Sequence, residues 1–182
     1  MKQPFLIGDG FTLRPVEPAD APIVAACNNH PDIRATFFTH TPLSEEAASA
    51  RIRGYYAPGA DYIPLAICDA ETDAAIGITA LHRVDLVSRA AVYSICIADP
   101  AHWGRGLGRS VTEMMLRYAF DILNLHRIQL HVWTGNTRAV QSYEKCGFIK
   151  EGTLREAMKH QGEWCDFYVM GVLEGEWRGR SQ

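Results

Sequence analysis

Three glycines alternate with larger residues just ahead of a predicted helix. The stretch is WGRGLGR, residues 103–109, and a run of helix-forming residues follows it. Glycine lets the backbone approach a ligand closely and adopt positive φ. The free N–H groups of a first helical turn, together with the helix dipole, favour a bound anion. Arg105 and Arg109 add positive charge, so the stretch predicts a phosphate or pyrophosphate site.

The two common nucleotide-binding motifs do not fit this stretch. The P-loop requires Lys and Ser or Thr after its last glycine, and this pattern is absent. The dinucleotide fingerprint places a third glycine where Arg109 stands, and the preceding strands resemble a meander, not a βαβ unit. A tight strand–helix turn that binds nothing remains the alternative at this point.

A second motif follows about thirty residues later, at N-T-R-A-V-Q-S-Y-E-K-C-G-F, residues 136–148. The pair P-x-x-W-G-R-G-L-G and N-x-x-A-V-x-x-Y-E-K-x-G-F resembles the GNAT N-acetyltransferase superfamily. Residues 151–170 resemble its RimJ/RimL-like branch, which acetylates protein N-termini, polyamines and amino sugars. The resemblance extends from about Phe11 to Trp177.

The resemblance implies a sheet that splays between its fourth and fifth strands, with the pantetheine arm of acetyl-CoA in the gap. Backbone at Ile97 and Ala98 would hold the pantetheine and the acetyl carbonyl, and Asn136 would lie near the pantetheine. The residues expected to hold the pyrophosphate are Trp103, Gly104, Arg105, Gly106, Leu107, Gly108 and Arg109. Trp103 departs from the family pattern, which often has Arg or Gln there, but a contact through the main-chain N–H is unaffected.

Two side chains are candidates for proton transfer. The resemblance places Tyr143 beside the sulfur, where its phenol is our candidate general acid; the alternative is a tyrosine that only packs. In HRIQLHVW, His131 shares a strand face with Gln129 and Trp133, five residues before Asn136. Some relatives carry a glutamate base near this position, so His131 is our candidate base. A histidine bound within the sheet, or a water relay without any single base, are the alternatives.

The sequence therefore predicts an acetyl-CoA-dependent N-acetyltransferase that acts on a primary amine. The acceptor stays open among a peptide N-terminus, a polyamine, an amino sugar or a similar amine. Carboxylates that could hold a cationic acceptor are Asp32, Glu45, Glu46, Asp85 and Glu163. The alternative function is a non-catalytic acyl-CoA sensor or scaffold, which would not need the acid at Tyr143.

Composition limits the class of protein. The 182 residues carry a net charge of −3, which gives no general attraction to nucleic acid or anionic membrane. The five cysteines show no Cys-x-x-Cys pair or zinc spacing, which predicts a cytoplasmic protein without a metal site. Neither a signal peptide nor a membrane-spanning stretch is expected. Relatives are commonly dimeric, so a homodimer is a further expectation.

The predicted elements give one α+β domain over residues 1–182, with its core at about 11–177 and a mostly antiparallel sheet of seven strands. About four helices are expected: after Asp20, after Ser44, over about 108–123 and within 134–148. Asp20 and Ser44 are predicted N-caps, and Gly147 a C-cap. The strands are expected at 11–16, 62–69, 74–83, 90–99, 126–133, near 148–157 and at 164–173.

Overall fold

A computed structural model describes residues 3–180, so both ends of the predicted domain lie outside the described residues. One mixed sheet runs through this part of the chain in the order β1-β2-β3-β4-β5-β6-β8-β7. Its strands are β1 (Leu6–Ile7), β2 (Phe11–Pro15), β3 (Ile63–Asp69), β4 (Ala75–Asp85), β5 (Ala90–Ile97), β6 (Arg127–Trp133), β7 (Ile149–His160) and β8 (Glu163–Leu173).

Six α-helices accompany the sheet within the described residues. They are α1 (Ala21–Asn29), α2 (Pro31–Phe37), α3 (Glu45–Gly54), α4 (Leu107–Arg117), α5 (Thr137–Cys146) and α6 (Glu174–Gly179). A π-helical turn, Tyr118–Ile122, extends α4 close to its predicted end. The hydroxyl of Ser44 accepts from the Ala47 N–H, and Gly147 ends α5 at φ 101°. Both predicted caps are confirmed.

The sheet is covered on both faces because its strands alternate their side chains. Leu13 and Ile67 pack with Met115 of α4 and Val140 of α5 in the larger core. Ala66, one residue before Ile67, packs on the opposite face against α1 and α3. The helices α4 and α5 therefore lie on one side of the sheet, and α1 and α3 lie on the other.

Three predictions need correction. The two-residue strand β1 makes eight strands where seven were expected, because so short a pair shows no alternation. The helices α2 and α6 raise the helix count from four to six, since seven and six residues are too few to show a helical period. Asp20 precedes α1 but does not cap it: its carboxylate instead binds the buried Arg14 at 2.7 and 2.8 Å.

The sheet separates between β5 and β6, the fourth and fifth strands when β1 is not counted. These strands are parallel and pair only from Ala90 with Arg127 to Val92 with Gln129. Beyond that point β6 stays paired with β8 as far as Trp133. The rest of β5 therefore borders an opening in the sheet.

Candidate functional site

A cavity of about 460 Å³ lies at this opening. Four elements surround it: α2, the end of β5, the glycine turn with the start of α4, and α5. Because α2 lies on the α1 side and α5 on the α4 side, the cavity reaches both faces of the sheet. A long, thin ligand can therefore pass through the sheet at this place.

The glycine turn presents a bare backbone to the cavity. Gly104 and Gly106 have φ of 75° and 86°, and a Cβ atom at either would meet nothing within 4 Å. The Ser110 N–H donates to the Gly106 carbonyl at 3.0 Å. The six preceding amides, those of residues 104–109, donate to no other residue within 3–180. They are available to bind an anion, and the anion site at this turn stays a prediction.

Cationic side chains surround this turn. Those lining the cavity are Arg109, Arg138 and Lys145. Arg109 also donates to Glu113 at 2.8 Å, so part of its charge is compensated. The pyrophosphate of a cofactor is the ligand chemistry that such a turn favours.

Trp103 connects the turn to β5. Its indole Nε1 donates to the Ile97 carbonyl at 2.9 Å, and the Arg138 guanidinium lies 4.8 Å from its ring centroid. The Arg or Gln common in the family at this position is thus replaced by a side chain that holds the strand end against the turn. As a consequence, the Ile97 carbonyl already accepts a hydrogen bond from within the protein.

The backbone of β5 offers donors to the cavity at every second residue. The Ala98 N–H donates to Ile76 on β4 at 2.9 Å. Residues of an antiparallel pair alternate in this bonding, so the N–H groups of Ile95 and Ile97 point away from β4 and into the opening. Of the two amides predicted to serve the acetyl carbonyl, that of Ile97 faces the cavity and that of Ala98 does not.

The side chains of α5 close the cavity from the α4 side. The Asn136 Oδ1 caps the helix by accepting from the Ala139 N–H at 3.2 Å, which leaves its Nδ2 for a ligand. Tyr143 packs edge-on against Tyr93 and Phe148. Its hydroxyl has no hydrogen-bond partner among the described residues. Burial raises the pKa of Tyr143, so the phenol keeps its proton at neutral pH.

The structure brings most of the predicted site residues together. Eight line the cavity: Ile97, Trp103, Gly104, Gly106, Gly108, Arg109, Asn136 and Tyr143. Arg105 is exposed, and Leu107 packs against the larger core, so these two contribute main chain to the turn. His131 is exposed on β6 and lies outside the cavity lining. Its role as a base stays a prediction.

The sequence did not predict the helix α2, which forms one wall of the cavity. Asp32, Ile33, Thr36 and Phe37 line the cavity from this helix. Asp32 was a candidate only as one acid among several. The signal in the sequence for this helix was Pro31, because proline is common at the first position of a helix. In the structure the ring nitrogen of His30 also accepts from the Asp32 N–H at 3.3 Å.

No group of three or more His, Cys, Asp or Glu side chains within 3–180 could hold a metal ion. In the same residues, no helix is both long and apolar enough to cross a membrane.

Comparison with known proteins identifies the family of this chain. Residues 11–149 match the family model of the acetyltransferase (GNAT) domain. The chain is 33% identical over 172 residues to the spermidine N(1)-acetyltransferase of Vibrio cholerae, covering 94% of this chain and 98% of that protein. A crystal structure of spermidine N-acetyltransferase from Vibrio cholerae with CoA and spermine has a TM-score of 0.86 at 30% identity, covering 94% of this chain and 99% of that one.

A third relative is a putative ribosomal N-acetyltransferase, YdaF, of Bacillus subtilis. It is 30% identical over 105 residues, which is 58% of this chain and 57% of that protein. The family match spans most of the sheet, the glycine turn and α5. The chain belongs to the GNAT acetyltransferase family and is an acetyl-CoA-dependent N-acetyltransferase that transfers the acetyl group to a primary amine.

Proposed function

We propose that the acceptor of this enzyme is an aliphatic polyamine. The observation that carries the proposal is the α2 wall, where the Asp32 carboxylate stands beside the apolar Ile33 and the aromatic Phe37. A carboxylate can hold a distant ammonium group while apolar side chains contact the methylene chain. The full-length similarity to a spermidine N(1)-acetyltransferase supports the same acceptor class.

In this proposal the amides of the glycine turn hold the CoA pyrophosphate, and the backbone of Ile95 holds the pantetheine. The Ile97 N–H donates to the acetyl oxygen, an interaction worth about 3 kcal/mol when the oxygen becomes negative. Tyr143 gives its phenol proton to the leaving sulfur. Positioning the amine and the thioester in one cavity supplies a further large part of the acceleration.

A peptide N-terminus is the second candidate acceptor. Asp32 is the sole carboxylate among the described cavity-lining residues, whereas a polyamine carries several positive charges. An N-terminal α-amine requires only one counter-charge.

The test is an acceptor panel of spermidine, N-terminal peptides and amino sugars, with released CoA thiol as the signal. We expect spermidine to give the highest kcat/KM. The Asp32→Asn variant should raise the KM for spermidine about tenfold with little change in kcat, since a charge-assisted hydrogen bond contributes about 1.5 to 3 kcal/mol. Asp9→Asn, an exposed aspartate at the far edge of the sheet, is the matched control. Faster turnover of a peptide would replace the polyamine with an N-terminal amine.

Self-association and extent of the domain also stay proposals. A relative from Vibrio cholerae has a dodecameric structure, and this chain exposes residues 149–157 of the edge strand β7. Exposed strand edges are common sites of association, so we propose a homo-oligomer built on a homodimer. A single domain over residues 1–182 and a cytoplasmic location stay predictions from the sequence.

A further inference from the structure

His82 and Ser94 form a hydrogen-bonded pair on neighbouring strands. The His82 Nε2 atom lies 2.6 Å from the Ser94 Oγ atom. His82 is on β4, Ser94 is on β5, and both side chains are half-buried. A second bond fixes the strand here, because the Thr79 hydroxyl donates to the Ser94 carbonyl at 3.1 Å. The backbone that carries Ser94 is therefore held in place.

This pair faces the side of the sheet from which we expect the acceptor. Ser94 and Cys96 share one face of β5 because they are two residues apart. Cys96 lines the cavity, and it packs against Ile33 of α2 on that face. The pair and the proposed acceptor wall thus lie on the same side of the sheet.

Ser94 also borders the opening between β5 and β6. The last paired residues of the two strands are Val92 and Gln129. Ser94 is the next residue of β5 on the same face, so no β6 residue is paired beside it. Ser94 and His82 do not line the cavity themselves, but Ile95 and Cys96, the next residues of β5, do.

The reaction requires a proton acceptor here. An aliphatic primary amine has a pKa near 10 and arrives as an ammonium ion at neutral pH. His82 suits the role because burial lowers its pKa, which keeps the ring neutral and able to accept a proton. Asp61 opposes this shift in the pKa of His82, and Arg83 adds to it. The ring also packs on Tyr62, around which lie Tyr55, Tyr56, Arg51 and Cys27.

We propose that His82 accepts the proton of the acceptor ammonium through the Ser94 hydroxyl. This deepens the proposed function and rests on it. The ammonium N–H bond breaks as an O–H bond forms at Ser94 Oγ, while Ser94 passes its own hydrogen to His82 Nε2. The neutral ring carries its other hydrogen on Nδ1 in this step.

The acyl transfer itself changes two further bonds. The C–N bond forms and the C–S bond breaks. The second proton leaves the nitrogen and replaces the one that Tyr143 gives to the sulfur. His82 then releases its proton to solvent, so the net products are the amide, the CoA thiol and one proton.

His131 is the competing base from the sequence. It occupies the same face of β6, across the opening from Ser94, since it follows Gln129 by two residues. Unlike His82, it is exposed, and it has no hydrogen-bond partner among residues 3–180. A profile of kcat against pH separates the two histidines. Its acid limb, the fall of kcat at low pH, is controlled by whichever histidine is the base.

The experiment measures kcat against pH for the full chain with its best amine acceptor. We expect His82→Gln to lower kcat at pH 7 by roughly 100-fold and to remove the acid limb. Ser94→Ala should lower kcat similarly, and Ser94→Thr, which keeps the hydroxyl, should restore most of it. The Kd for CoA should stay unchanged in all three, which shows that they fold. His126→Gln, an exposed histidine at the start of β6, is the control.

Each contrary result overturns the proposal. An acid limb that persists in His82→Gln, or that disappears in His131→Gln, assigns the proton elsewhere. A Ser94→Ala variant with wild-type kcat removes the relay. If a peptide is the preferred acceptor, the polyamine assignment fails while the profile still tests His82. If the wild type acetylates no amine in the panel, both proposals fail together.

Discussion

Replacing Gly106 by valine should weaken CoA binding far more than it weakens the fold. Gly106 stands at φ 86° immediately before α4, and the space beside its Cα is open. A β-branched residue in this conformation carries a strain of about 1 to 2 kcal/mol. In addition, its methyl groups would occupy the space that the pyrophosphate needs. Losing one charge-assisted N–H contact removes about 1.5 to 3 kcal/mol of binding, or roughly 10- to 100-fold in Kd.

Gly10 provides a matched control for the strain alone. It has φ 75°, and a Cβ atom there would also meet nothing within 4 Å. It lies in the turn between β1 and β2, at the far edge of the sheet from β5. Gly10→Val should therefore lose the same stability as Gly106→Val while keeping the wild-type affinity for CoA.

Calorimetric titration of CoA and urea unfolding measure the two effects separately. We expect both variants to lose about 1 to 2 kcal/mol of unfolding free energy. Only Gly106→Val should lose affinity. A Gly106→Val protein that binds CoA within twofold of the wild type would refute the anion site at the turn. Equal losses of CoA affinity in both variants would show that Gly106→Val weakens binding only by destabilising the fold.

Two other substitutions test the site and the fold. Tyr143→Phe should lower kcat without changing the Kd for CoA, because it removes the proton donor and keeps the packing against Tyr93. In an assay of thiol release, equal rates for the variant and the wild type would fit an acyl-CoA sensor instead. Asp20→Asn should lower the free energy of unfolding in urea by about 3 kcal/mol, because it leaves Arg14, only 4% exposed, without its carboxylate. The double variant Arg14→Met with Asp20→Leu should recover much of this loss. An unfolding midpoint of Asp20→Asn equal to that of the wild type would contradict the reasoning.

The parts of the site that were predictable depend on local chemistry. A glycine next to a helix start permits positive φ, and the first turn of any helix leaves free amides. The cap at Asn136 and the stop at Gly147 likewise depend on residues a few positions away. The strands of the meander from β3 to β5 also follow from their own alternation, and their predicted bounds differ from the observed ones by about two residues.

The parts that were missed depend on distant residues. Nothing near Ala98 in the sequence indicates that its N–H binds Ile76, because that bond depends on the register of β4 against β5. The same register decides that His82 meets Ser94 and not solvent, although twelve residues separate them. Asp20 was assigned to the nearer helix because the buried Arg14 on β2 cannot be recognised before the fold is known.

Trp103 shows how such a distant contact can compensate for an unusual residue. An Arg or Gln at this position could donate a hydrogen bond to a phosphate, and Arg would add a positive charge. The indole of Trp103 supplies no charge. The indole instead bonds the Ile97 carbonyl and stacks under Arg138, a cation that lines the same cavity. The turn thereby keeps a positive group beside it, and the end of β5 stays fixed against it. Since Ile97 then contributes only its N–H to the opening, the strand end that we expect to face the acetyl group carries a donor and no competing acceptor. This arrangement favours an oxygen that gains negative charge during transfer.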